Sequence, residues 1–231
     1  MTAIAAAAPP LSVIFDLDGT LVESAAAIQL ALNQALAAQH LPELPVATVR
    51  GFIGHGVPHL MNCVADHLEI PRSSSKLSQL FHAFSAQYEV QREGNTLFEG
   101  ARSALQALRL QGVALGLCTN KPMQPAKTVL QHLNIEEFFD YIIAGDSLSV
   151  RKPDPQMLLV ARAALSAEHC LYVGDSEVDA ETAHAAGVPF LLFTRGYRKS
   201  TIDSLAPWAS FDDFAQFPDY VAKFLREIPE A

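Results

Sequence analysis

Two carboxylates two residues apart, Asp16 and Asp18, follow directly on the apolar run Val13-Ile14-Phe15 in the stretch VIFDLDGTLVES. Residues i and i+2 of an extended segment point the same way, so both carboxylates face one pocket. Further acidic groups lie far along the chain, where Gly174-Asp175 is followed by Asp179 one turn into the next segment. Clustered carboxylates disfavour ionisation unless a cation joins them. Their oxygens suit a hard ion, and Mg²⁺ typically takes a few carboxylates, water and a substrate phosphate. The spacing therefore points to a magnesium ion and a phosphoryl group at one site. Gly19 allows an abrupt turn out of the strand and brings the backbone past that ligand.

For these groups to meet, the chain must bring distant strand ends together. Residues 13–17 read as a buried strand. From Ser24, a candidate N-cap, SAAAIQLALNQALAAQ repeats apolar residues at helical spacing. VPHLMNCVADHL and KLSQLFHAFSAQYEV are two more amphipathic helices, so residues from about 22 to 95 read as all-helical. The pattern then changes. The helix ARSALQALRLQG, closed by Gly112, precedes the strand VALGLCTN, the helix PMQPAKTVLQHL, the strand YIIAG and the helix PDPQMLLVARAAL. The strand CLYVGD, the helix EVDAETAHAAG and the strand PFLLFT follow, and FPDYVAKFLREI reads as a last helix. Such alternation predicts an α/β fold, a parallel sheet with helices on both faces. Ligands of open α/β sheets bind at the carboxyl ends of the strands. Those ends carry Asp16 and Asp18, Thr119 and Asn120, a loop holding Lys152, and Asp175.

Bulk properties narrow the partners. The chain has 231 residues, half of them hydrophobic, and a formal net charge of -9, which argues against nucleic acid and anionic membrane as partners. No apolar run approaches membrane-spanning length. Cys63, Cys118 and Cys170 are widely spaced and read as free thiols of a reducing compartment. The start, MTAIAAAAPP, lacks Lys and Arg and does not read as a signal peptide. The expectation is a soluble, cytoplasmic protein, a monomer or homodimer, with residues 1–11 as a disordered tail.

DLDGT, TN, KPDP and GDSEVD occur in that order on alternating elements. On these motifs the chain resembles the haloacid dehalogenase superfamily. Through RGFIGHGVP, LGLCTNKP, GDSLSVRKPDP and YVGDSEVDAETAHAAGVP it is most similar to the phosphoglycolate phosphatases of proteobacteria. The resemblance implies a Rossmannoid core formed by 12–21 and 96–231, and an inserted helical cap over 22–95. It implies a Mg²⁺-dependent phosphatase of a small phosphorylated metabolite. Asp16 is then the nucleophile that forms an aspartyl-phosphate, and Asp18 the general acid and later base. Gly19, Thr119, Asn120 and Lys152 contact the phosphoryl group. Asp16, Asp18 through its carbonyl, Asp175 and Asp179 serve the metal.

Other readings stay open on these residues. One keeps the chemistry and changes the acceptor: a β-phosphoglucomutase-like phosphomutase, or a phosphatase of another small phosphoester or pyrophosphate. Another is a non-catalytic binding module, against which the joint presence of Asp16, Asp18, Lys152 and Asp175 speaks. Dehalogenation leaves Asp18 without work. In the cap, Arg50 and His55 flank a glycine-rich break, and Gly54-His55-Gly56 stands where related enzymes often have Gly-Asn-Gly. The break reads equally as a reader of a substrate carboxylate and as an exposed loop. His59, Cys63 and His67, four apart, read as core and surface and not as a zinc stripe.

Overall fold

The computed structural model describes residues 11–227. Residues 1–10 of the expected tail lie outside that range, while Leu11 is buried in the first strand.

The core is one parallel sheet, and its first strand is its middle. Strand β1 (Leu11–Phe15) lies between β4 (Ala114–Cys118) and β6 (His169–Gly174). Beyond them come β5 (Tyr141–Ile143) on one side, and β7 (Phe190–Phe193) with β8 (Ala209–Phe211) on the other. A strand with a neighbour on each edge and helices on both faces exposes nothing, so its residues are buried and apolar but for Ser12, whose hydroxyl donates to the His169 carbonyl at 3.2 Å. Leu11, Val13 and Phe15 nevertheless face one side, with α5 (Ala101–Leu110), α6 (Met123–His132) and α9 (Phe217–Glu227). Ile14 faces the other, with α7 (Gln156–Leu165) and α8 (Glu177–Ala186).

Residues 25–90 hold a second apolar cluster, built by α1 (Ala25–Ala37), α2 (Val46–Arg50), α3 (Val57–His67) and α4 (Ser75–Val90). Both passages of the chain between the two clusters run through a small antiparallel ribbon. In it β2 (Val22–Glu23) pairs with β3 (Thr96–Leu97), Val22 opposite Leu97 and Glu23 opposite Thr96. A two-point connection of this kind can act as a hinge, because few residues absorb the dihedral change.

The expected helices and sheet strands are present, and four short elements had no sequence signal. The ribbon strands, α2 and β8 are each two to five residues long, too short for a period to register. Ser24 differs from its expected role. It stands at the N-cap of α1, but its side chain makes no capping bond. The Tyr197 hydroxyl accepts from the backbone N–H of Ser24 at 2.9 Å and of Ala25 at 3.1 Å. A core tyrosine reaching the buried helix start takes the place of the local cap.

Beside β7, Phe193 meets Phe98, Phe211 and Phe214 at centroid separations of 4.8, 5.2 and 5.0 Å. This cluster ties the chain's last third to the sheet. Phe193→Ala should destabilise the protein by about 3–5 kcal/mol, through lost burial and the cavity left behind. Denaturant unfolding checks this; a loss under about 1 kcal/mol would show that the cluster collapses around the gap.

Candidate active site

The turn after β1 is closed by backbone bonds. The Gly19 N–H donates to the Val22 carbonyl at 2.8 Å, and those of Leu21 and Val22 to the Leu17 carbonyl at 3.0 Å. Gly19 has φ +90°, and a Cβ there would fall 2.5 Å from an Asp175 oxygen. The turn thus carries Asp16 and Asp18 out of the sheet while their backbone skirts Asp175.

Lys152 arrives from the loop after β5 and is buried. Its Nζ lies 2.9 Å from Asp16 Oδ1 and 2.7 Å from Asp179 Oδ1, and bonds the Tyr172 hydroxyl at 2.9 Å. The Asn120 side chain fixes that loop, accepting from the Lys152 N–H at 3.0 Å and donating to its carbonyl at 2.9 Å. The same amide donates to the Gly54 carbonyl of the α2–α3 loop, also at 2.9 Å. Asp175 accepts from the Thr20 hydroxyl at 2.8 Å and from the Tyr197 N–H at 2.6 Å. Thr119 Oγ1 accepts from the Lys121 N–H, so its own hydroxyl hydrogen stays available to a ligand.

Oxygens of Asp16, Asp175 and Asp179 lie within 4.8 Å of one another. An all-oxygen set suits a hard divalent cation, but the three are not equivalent. Asp179 Oδ1 accepts from Lys152 and Tyr172, and Oδ2 from the Ser176 hydroxyl and the N–H groups of Asp175 and Ser176. With every lone pair engaged, Asp179 orients Lys152 and the 175–176 turn. Asp16 and Asp175 retain free capacity for an ion. The Asp18 carbonyl is unused by the backbone bonds of the turn, so it too can serve.

The electrostatics carry the same message. Burial, opposed by Lys152 and reinforced by Asp179 and Asp18, raises the Asp16 carboxyl from 3.8 to about 7. Burial, then Asp179 and Asp16, lifts Asp175 well above its ordinary range. Burial also works against the Asp179 charge, but Lys152 together with hydrogen bonds from Ser176 and Tyr172 holds that carboxyl low. One ammonium cannot balance this many carboxylates, which is the condition that a bound cation relieves.

The cavity above Asp16 and Asp18 holds about 430 Å³, open mouth included, and is roofed by Phe52, Ile53, Val57, Leu60 and Phe84 of the helical cap. Two expected contributors are not brought to it. The Arg50 guanidinium pairs with Glu23 at 2.8 Å and covers the Tyr197 ring at 5.3 Å. His55 lies beside His59, ring centroids 4.7 Å apart and tilted, on the exposed surface. Neither lines the cavity. Among its described lining residues the one cation is Lys121, whose Nζ bonds Asp18 at 3.0 and 3.3 Å and the Tyr88 hydroxyl at 2.7 Å. Sequence reasoning gave Lys121 no role, although it directly follows Thr119-Asn120 at a strand end. Tyr172 and Tyr88 were hidden among apolar neighbours; a buried phenol needs a partner, and that was their signal. Cys63, His59 and His67 form no ligand cluster among the described residues.

Residues 13–193 match the family model of haloacid dehalogenase-like hydrolases. The phosphoglycolate phosphatase of Rhodobacter capsulatus is 41% identical over 210 residues, 91% of this chain and 96% of that protein. That of Cereibacter sphaeroides (strain ATCC 17029 / ATH 2.4.9) is 45% identical over 215 residues, 92% and 98% of the two chains. A crystal structure described as a predicted phosphoglycolate phosphatase from Haemophilus somnus 129pt superposes with a TM-score of 0.84 at 29% identity, covering 91% and 97%.

In protein without metal, folded Asp16 and Asp175 bind protons that the unfolded chain has released. Stability is therefore lost as pH rises from about 4 through about 7 for Asp16, and in the same direction for Asp175. A divalent cation competes with those protons. It should raise the melting temperature more at about pH 8 than at about pH 5. An equal or larger shift at the lower pH would place the ion elsewhere. Gly19→Ala, which drives a methyl into the Asp175 carboxylate, should remove the cation-induced shift.

Proposed function

The chain belongs to the haloacid dehalogenase-like hydrolases, and we propose that it is a Mg²⁺-dependent phosphatase that hydrolyses 2-phosphoglycolate to glycolate and phosphate. The observation that carries the reading is the position of Asp16: its carboxylate lies against the Lys152 ammonium, on the floor of a cavity roofed by the cap. The names of the relatives support the substrate.

On this reading an Asp16 oxygen attacks phosphorus as the bond to the leaving oxygen breaks, giving an aspartyl-phosphate. Asp18 gives its proton to the leaving alkoxide. It then takes a proton from water, which attacks the same phosphorus and releases phosphate, restoring Asp16. Thr119 and the Asn120 N–H hold phosphoryl oxygens, and Lys152 balances charge on Asp16 and on the transferring group. Asp16, Asp175 and the Asp18 carbonyl would hold Mg²⁺, whose contribution is to neutralise the phosphoryl oxygens. Asp179 positions Lys152. Arg50 and His55, held outside the cavity, shape the cap loop.

Asp16→Asn should lower turnover on the order of 10⁴-fold or more while the fold persists, since a neutral amide is a poor nucleophile. Rapid quench with labelled 2-phosphoglycolate should trap a phosphoenzyme in the wild type and none in the variant. Near wild-type turnover would dismiss Asp16 as the nucleophile. Full activity in excess chelator, with metal loss verified, would dismiss the ion.

A further inference from the structure

The second anion of a small substrate needs a positive group, and the cap supplies none to the cavity. Its wall there is apolar apart from Tyr88, and Arg50 is engaged with Glu23 outside. The core supplies Lys121, whose side chain is 1% exposed. We infer that Lys121 reads a carboxylate on the substrate, a specificity contact that rests on the phosphatase reading proposed above for the same cavity.

Three features carry this. An ammonium has three N–H donors. A forked bond to the two Asp18 oxygens and one bond to Tyr88 use two of them, and the third has no protein acceptor among the described residues. Lys121 also sits one residue beyond Thr119-Asn120, so a phosphoryl group held there presents its next few atoms to the ammonium. Finally, Tyr88 belongs to α4 of the cap, and its ring lies 4.4 Å from Nζ, so the cation is held where the cap closes over it. In a low-dielectric site a carboxylate meets this charge with little competition from water. An arriving carboxylate competes with Asp18 for the ammonium and frees the Asp18 oxygens for the leaving oxygen. The contact therefore acts on turnover as well as on binding.

The test compares 2-phosphoglycolate and 3-phosphoglycerate, which carry a carboxylate, with ethyl phosphate, which does not. In the wild type, kcat/KM should favour a carboxylated ester. Lys121→Met should lower activity on all three and shrink that preference on the order of 100-fold. An unchanged preference, from equal losses on all esters, would overturn the inference and leave Lys121 as a clasp between Asp18 and Tyr88. A wild type that prefers ethyl phosphate would overturn it too, together with 2-phosphoglycolate as substrate, and leave only the phosphatase chemistry standing. A wild type that prefers 3-phosphoglycerate would refute 2-phosphoglycolate as substrate, while collapse of that preference in Lys121→Met would uphold Lys121. Loss of Lys121 alone strands the Asp18 charge and endangers folding. Asp18→Asn and Asp18→Asn/Lys121→Met avoid this, and calorimetry compares their binding of 2-phosphoglycolate and ethyl phosphate. The second substitution should weaken binding of the first ester far more than of the other; equal weakening refutes the assignment.

Discussion

One buried ammonium, that of Lys152, sets the terms for the rest of the structure. Taking a lysine and several carboxylates out of water is costly unless geometry and hydrogen bonds compensate. Here Asp16, Asp179 and the Tyr172 hydroxyl converge on Nζ, while Asp179 is itself saturated by the start of α8. Asp16 follows β1, Lys152 comes from the loop after β5, and Tyr172 and Asp179 belong to β6 and the helix that follows it. The parallel order, with β1 between β4 and β6, is what lets residues 16, 119, 152 and 175 meet. A mixed sheet would have sent some of these strand ends to the opposite edge.

The same economy governs how the cap meets the core. Apolar burial holds the cap together internally, through a cluster separate from those of the sheet. Several of its contacts with the core are polar, and some of them land on groups of the active site. Asn120 reaches the Gly54 carbonyl, Lys121 the Tyr88 hydroxyl, and Lys199 Nζ donates to the Gly51 carbonyl at 2.8 Å. Tyr197 links the two most directly, with its N–H on Asp175 and its hydroxyl on Glu23 and the start of α1. Polar contacts can exchange with water at small net cost, whereas an apolar interface of similar extent resists opening. Such an arrangement suits a cap that must admit a substrate and then exclude solvent.

Much of this was legible from the chain alone. The apolar strands ending in Asp16, Thr119 and Asp175, and the helical spacing of 25–90, fix element type and order, because burial periodicity is a local property. The Asp-x-Asp spacing fixes a shared direction for two carboxylates. The near invariance of chemistry with context also helped: carboxylates brought together need a cation wherever they meet. Short elements such as β8 and the β2–β3 ribbon escaped, since pairing partners distant in sequence, and not their own composition, make them strands.

What the tertiary structure decided is which charge serves which neighbour. Arg50, beside a glycine break, and Lys121, beside a strand end, are alike in sequence as free cations. Folding puts Glu23 within 2.8 Å of Arg50 and draws it away, and it buries Lys121 against Asp18 and Tyr88. Asp179 reads in sequence as one more carboxylate serving the metal; folding also surrounds it with Lys152, Tyr172, Ser176 and the Asp175 and Ser176 N–H groups. The sequence determined the inventory of reactive groups and the strand ends that carry them, because residue type and period are written locally. Their assignment as ligand, clamp or reader depends on partners many residues away and on desolvation, and only the folded chain sets those.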